Sequence, residues 1–260
     1  MCQKSYLVTS IKSIASYTKT LTMRLILIAI VSTVIFSSCH YIMGERVYGD
    51  GHIATKDASV GSFNSVDVSG ALEAHISNGA GNSVKIETDQ NLLDLVEVFT
   101  DGNTLVARTR NGYNLQPSRK IVIYITAPEF KNLDVSGASK IISDNAISGD
   151  DMHIGASGAS HISMEVSGGK ISSDLSGASS LTLKGQATDF DLEASGASHS
   201  NCYELVAENA MIDLSGASSA EITANKNLRA EASGASHVRY KGNASVNSNT
   251  SGAGSVRKEG

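Results

Sequence analysis

Ile212-Asp213-Leu214-Ser215-Gly216-Ala217-Ser218 decides the fold, because the chain repeats it. Ser-Gly-Ala-Ser stands at Ser136–Ser139, Ser157–Ser160, Ser176–Ser179, Ser195–Ser198, Ser215–Ser218 and Ser233–Ser236. A variant, Ser-Gly-Ala-Gly, closes the series at Ser251–Gly254, and an echo, Ser-Gly-Ala-Leu, precedes it at Ser69–Leu72. From Ser136 the first serines step by 21, 19, 19, 20, 18 and 18 residues. Self-similarity near 20 residues is the mark of a solenoid.

The approach to each copy alternates apolar, acidic, apolar: Leu133-Asp134-Val135, Ser173-Asp174-Leu175, Leu192-Glu193-Ala194, Ile212-Asp213-Leu214, Ala230-Glu231-Ala232. Period two means a strand with one face in and one out. A helix needs apolar residues three and four apart over more than ten residues, and a glycine in every copy disfavours one. The sequence therefore predicts an all-β chain, a single parallel β-solenoid of 18–21-residue coils with longer, irregular strands in its N-terminal part. The pairs Ser136-Gly137, Ser157-Gly158, Ser176-Gly177, Ser195-Gly196, Ser215-Gly216 and Ser233-Gly234 mark its repeated bends. With strands ~4.8 Å apart, the seven copies from Ser136 would stack over roughly 30 Å.

The N-terminal part divides differently. Met23-Arg24 opens Leu25–Phe36, an apolar run without charge that ends in Phe36-Ser37-Ser38-Cys39. It is short for a membrane span and has the layout of a secretory signal. Residues 1–38 are read as signal peptide, with Met23 an alternative start. Cys39 is read as the acceptor of an N-terminal lipid, residues 39–58 as a tether, and 59–260 as the solenoid domain. Lipidation would leave Cys202 as the only free thiol of the mature chain and no pair for a disulfide. Strands are expected around Val84–Glu87 and Lys120–Thr126, with a hairpin turn at Asp101-Gly102. The 67 residues from Ser69 to Ser136 correspond to about three coils plus insertions.

At this point a resemblance becomes specific. Phe63–Ile76, Val84–Val98, and Leu105 through Asn114-Leu115-Gln116-Pro117-Ser118 to Ala127-Pro128, followed by Leu133-Asp134-Val135-Ser136-Gly137-Ala138-Ser139, resemble the head GIN domain family. That family is described as autotransporter adhesins, many of them envelope lipoproteins of Gram-negative bacteria. The resemblance runs from about Val47 to Gly254. It implies a parallel β-helix on the cell envelope and supplies no catalytic motif.

Several columns could carry chemistry. The residue after each tetrapeptide reads Lys140, His161, Ser180, His199, Ser219, His237, so histidines fall on alternate coils. Equivalent histidines would stand about 9.6 Å apart, twice the strand spacing, too far to share one metal ion. Asp134, Asp174, Glu193, Asp213 and Glu231 form an acidic column, read as a solvated face with a divalent-cation stripe as the alternative. Arg108, Arg110, Tyr113 and Arg119 cluster in the irregular part as a candidate binding edge. Stacked serine hydroxyls are expected to bond along the solenoid.

The net charge of −5 argues against a nucleic-acid partner. Aromatic content of 5% without Trp is a mild argument against sugar recognition. The expected function is non-enzymatic: a lipid-anchored envelope protein presenting a rigid surface to an unidentified protein or glycan, without a cofactor. A carbohydrate-active β-helix enzyme and a self-assembling homo-oligomer are the alternatives. The membrane face, periplasmic or external, stays open.

Overall fold

A computed structural model of the chain describes residues 44–259. The signal segment and Cys39 lie outside the described residues. Among those described, no helix is long and apolar enough to cross a membrane.

The N-terminal region holds β1 (Glu45–Tyr48), β2 (Ile53–Ala58), β3 (Ser65–Val68), β4 (Leu72–Asn78) and β5 (Ser83–Asp89). A 3₁₀ segment (Gln90–Leu95) leads to β6 (Val96–Asp101), β7 (Thr104–Thr109), β8 (Tyr113–Gln116) and β9 (Ile121–Ala127). The regular coils are built from β10 (Asn132–Val135), β11 (Lys140–Ser143), β12 (Ile147–Ala156), β13 (His161–Leu175), β14 (Ser180–Ala194), β15 (His199–Leu214) and β16 (Ser219–Ala232). β17 (His237–Lys241), β18 (Ser245–Thr250) and β19 (Ser255–Lys258) end the stack.

Successive coils pair in parallel, and the expected repeats lie in register: Leu175 beside Ala194, Ala194 beside Leu214, Leu214 beside Ala232. The Ala and Leu that alternate before each tetrapeptide therefore stack as one buried column, small against large. That is how a narrow interior fills at crystal-like density without clash. Neighbouring columns follow the same logic, with Phe190 fully buried and level with Ile171 and Ala210. Each buried Leu or Ile side chain contributes about 1.5–3 kcal/mol by leaving water.

The tetrapeptide turns have a backbone cause. Gly137, Gly158, Gly177, Gly196, Gly216 and Gly234 have φ between 72° and 76°, and among the described residues no non-glycine has positive φ. A positive φ at the first central residue alone is the type II′ pattern. Each glycine carbonyl accepts the N–H of the alanine one coil later, as in Ala197 N to Gly177 O at 2.8 Å and Ala235 N to Gly216 O at 2.7 Å. The glycines thus stack backbone on backbone.

Serine hydroxyls bond along the solenoid as expected, as Ser195 to Leu175 O and Ser233 to Leu214 O, but to backbone carbonyls of the coil before and not to one another. The fourth residues, Ser139, Ser160, Ser179, Ser198, Ser218 and Ser236, turn inward and are at most 2% exposed. Ser198, Ser218 and Ser236 donate back to the carbonyl of the first serine of their own turn, at 2.8–2.9 Å. Ser160, Ser218 and Ser236 also reach a backbone carbonyl of the coil before, at 3.3 Å. In Ser160, Ser198, Ser218 and Ser236 the hydroxyl binds backbone because the inward turn puts carbonyls, not neighbouring hydroxyls, within reach.

Two boundaries differ from expectation. The chain forms strands from Glu45, within the stretch read as tether, and joins the main sheet at β2. β1 pairs in parallel with β8, and β2 pairs antiparallel with β5. The region after Ser69 does not supply three coils. β3 pairs directly with β10, and Ala138 N donates to Gly70 O at 3.0 Å, so Ser69 and Ser136 sit in adjacent coils. β7 and β9 lie on the other side of β3 and β4. The intervening residues instead form a cap with antiparallel pairings, β2–β5, β5–β9 and the β6–β7 hairpin at Asp101-Gly102. Antiparallel partners need only short turns, so the cap closes within the chain available.

Candidate binding faces

Two outward faces carry the columns. On the first, Asp67, Asp134, Gly155, Asp174, Glu193, Asp213, Glu231 and Asn249 run in register across the coils. Beside them runs the row His153, Ser172, Asp191, Met211, Arg229. The row and the stretch of the column from Asp174 to Glu231 line a groove of about 370 Å³, with Met211 exposed in it.

Like charges one strand spacing apart repel, and the neighbouring rows offset this. Arg229 pairs with Glu231 at 2.7 Å, Lys170 with Asp191 at 2.9 Å, and His153 stands 3.6 Å from Asp174. Two acids of the column, Asp174 and Glu231, thus have a basic side chain of the protein beside them, and Lys170 answers Asp191 in the next row. Among the described residues, no three His, Cys, Asp or Glu converge to hold a metal ion. Asp134, Asp174, Glu193, Asp213 and Glu231 form a column and not a ligand shell.

The gap at Gly155 has a local cause. The Asp134 carboxylate lies over Gly155, in the space a Cβ there would fill. Lying against the sheet pushes the Asp134 carboxyl above its ordinary value; His153 opposes this, and the charges of Asp67 and Asp174 reinforce it. A raised carboxyl favours the fold below its unfolded pKa and loses that contribution as pH rises through the folded value. Asp134→Asn is expected to give a small rise in Tm at pH 7 that disappears below about pH 4. A thermal melt series over that range checks it; a gain that is independent of pH contradicts it.

On the second face the histidine alternation acquires a reason. His161, Ser180, His199, Ser219, His237 and Ser255 are consecutive partners across β13 to β19. Each histidine Nδ1 hydrogen-bonds the serine of the next coil: His161 with Ser180, His199 with Ser219 at 2.7 Å, and His237 with Ser255 at 2.9 Å. A ring two coils from the next ring and one coil from a hydroxyl fixes its tilt along the column. Partial burial and nearby Lys140 both lower the pKa of His161.

The arginine cluster does not assemble as one edge. Arg108 and Arg110 share Glu97, at 3.0 and 3.2 Å, and Arg108 stands 5.3 Å from the centre of the Phe99 ring. Tyr113 belongs to the separate β1–β8 pair, and Arg119 is exposed in the loop before β9. Cys202 is fully buried beside Ser200 and its thiol is pushed up to about 11 by burial. It is a core residue.

Sequence reasoning missed Asp89, which is fully buried. Its carboxylate accepts from Gly51 N at 2.8 Å, Ser118 N at 2.8 Å and Ser118 Oγ at 2.6 Å. It ties three separate segments of the cap. No local signal announces it, because its donors lie 29 and 38 residues away.

These features define a parallel β-solenoid with a cap, displaying in-register side-chain columns on two faces. A family model described as "Putative auto-transporter adhesin, head GIN domain" matches residues 62–244, more than half of the chain, and the chain belongs to that family. Among solved structures, a putative adhesin from Bacteroides fragilis is 19% identical with a TM-score of 0.77, covering 82% of this chain and 100% of its own. A putative lipid binding protein from Parabacteroides distasonis is 18% identical with a TM-score of 0.70, covering 83% and 100%. A putative adhesin from Parabacteroides merdae is 20% identical with a TM-score of 0.65, again covering 83% and 100%. At these identities the likeness is one of fold. No curated protein matches the chain.

Proposed function

We propose that the chain is a non-enzymatic lipoprotein of the cell envelope, held to the outer membrane through lipid on Cys39, whose solenoid is a rigid surface for adhesion. The observation that carries this reading is the in-register repetition across successive coils, acids on one face and alternating histidine and serine on the other. Repetition over a stiff backbone favours contact with an extended partner over chemistry at one point. An enzyme of this architecture draws on paired carboxylates set apart for acid and base work. Here the acids of the column are spaced evenly, with Arg229 beside Glu231 and His153 beside Asp174. The membrership of an adhesin-described family supports a surface or envelope location.

Protease treatment of intact cells tests the reading. The native protein is expected to be shaved from the surface, and Cys39→Ala to be released or mislocalised. A native protein that stays protected until the outer membrane is opened faces the periplasm, and adhesion is then ruled out.

A further inference from the structure

The cap carries a cavity of about 580 Å³ on the outward side of the β2–β5–β9 sheet, within the range of small-molecule sites. Thr55, Asp57, Lys85, Glu87, Tyr124 and Thr126 line it. Asp57, Lys85, Tyr124 and His75 form one transverse row across β2, β5, β9 and β4. Thr55 and Glu87 form the next row, and Thr126 follows Tyr124 on β9. At ~4.8 Å per strand, Lys85 stands one spacing from Tyr124 and Asp57 two.

Two observations set this cavity apart. Tyr124 is 38% exposed, a large ring left facing solvent, with its other side 5.6 Å from the His75 ring. Among the described residues, none of these six side chains makes a hydrogen bond or ion pair. Even Asp57 and Lys85, direct neighbours in register, are unpaired. On β4, the strand beyond Tyr124, the charged groups are satisfied internally: Glu73 takes Lys120 at 2.6 Å, and His75 takes Asp144 at 2.7 Å. The cavity thus combines an exposed aromatic face with a ring of unused donors and acceptors.

We propose that this cavity binds an uncharged saccharide, with one sugar ring stacked on Tyr124 and its hydroxyls shared among Asp57, Glu87 and Lys85. This rests on reading the chain as a binding solenoid and names its ligand. The C–H face of a sugar is apolar and its hydrogens carry partial positive charge, so it complements the negative face of an aromatic ring. A hydroxyl both donates and accepts, so it can bridge a carboxylate and an ammonium group at once, and bonds to charged groups are the stronger kind. Two carboxylates against one lysine disfavour uronic or sulfated sugars.

The test is a glycan array probed with the purified full-length protein, carrying neutral, uronic and sulfated oligosaccharides. Calorimetric titration of the strongest neutral binder follows. Saturable binding to a neutral glycan is expected. Tyr124→Ala should weaken it at least about tenfold, while Tyr124→Phe, which keeps the stacking face, should stay within about threefold. Asp57→Asn combined with Glu87→Gln should also weaken it. All these side chains are on the outer face, and unchanged melting of the variants shows that the fold is intact. Signal confined to uronic or sulfated glycans, no signal from any neutral glycan, or a Tyr124→Ala protein that binds like its parent each overturns the proposal. The readout uses purified protein, so a periplasmic location would refute surface adhesion without altering it.

Discussion

Gly196→Ala is expected to lower the stability of the solenoid by about 3 kcal/mol, far more than a methyl group costs at most surface sites. The backbone at Gly196 has φ +76°, where an L side chain costs about 1–2 kcal/mol. A Cβ there would also stand 2.6 Å from Gly177 O and 3.1 Å from Gly177 N, so one coil must move off the next. That movement opens the bond from Ala197 N to Gly177 O, worth about 1 kcal/mol net. Gly112→Ala is the matched control. Its φ is +86°, but nothing lies within 4 Å of the added atom. Chemical denaturation should show Gly112→Ala losing only the backbone contribution. Each coil contacts only its neighbours, so amide exchange in the Gly196 variant should quicken in the coils on either side. Equal losses in the two variants would mean that the glycine stack does not hold the coils together.

Asp89→Asn is expected to destabilise the cap by about 2–4 kcal/mol at pH 7, because one amide oxygen must replace two carboxylate oxygens before three donors. The amide NH₂ would then face a backbone N–H. The wild-type carboxyl also gives the effect a pH signature. Burial pushes it up, but the Ser118 hydroxyl, the Ser118 N–H and the Gly51 N–H outweigh burial and hold it below its ordinary value. A depressed carboxyl contributes stability above its unfolded pKa and loses it as pH falls through the folded one. The Tm gap between wild type and Asp89→Asn should therefore be full near neutrality and narrow below about pH 4. Melts at pH 7 and pH 3 check this. A gap of the same size at both would show that Asp89 acts through shape and not through its charge.

The candidate faces were partly legible beforehand. The acidic column and the histidine alternation appear in the spacing, because a parallel stack turns sequence period into spatial neighbourhood. The partners did not appear. Arg229 reaches Glu231 from the next row, Lys170 pairs with Asp191 beside the column, and each histidine is positioned by a serine one coil on. The arginine cluster looked like one edge because its members are close in sequence. The structure sends Tyr113 to a separate pair of strands and binds Arg108 and Arg110 to Glu97. Tyr124 gave no signal as a site, since Ile-Val-Ile-Tyr-Ile reads as strand alone. Its unpaired neighbours come from β2 and β5.

The sequence by itself determined the coil. Alternating apolar residues, a glycine that alone tolerates positive φ, and a period near 19 leave a parallel solenoid as the arrangement that buries every inner face. Only the tertiary structure decided the order of stacking at the N-terminal end. Ser69 and Ser136 are 67 residues apart and yet occupy adjacent coils. Closure entropy rises only slowly with loop length, so a long excursion between them costs little more than a short one. The match of Val66 and Val68 to Leu133 and Val135, together with Gly70 O receiving Ala138 N, then fixes the register. Counting residues cannot find that contact, because it is set by complementary surfaces and not by the length of chain between them.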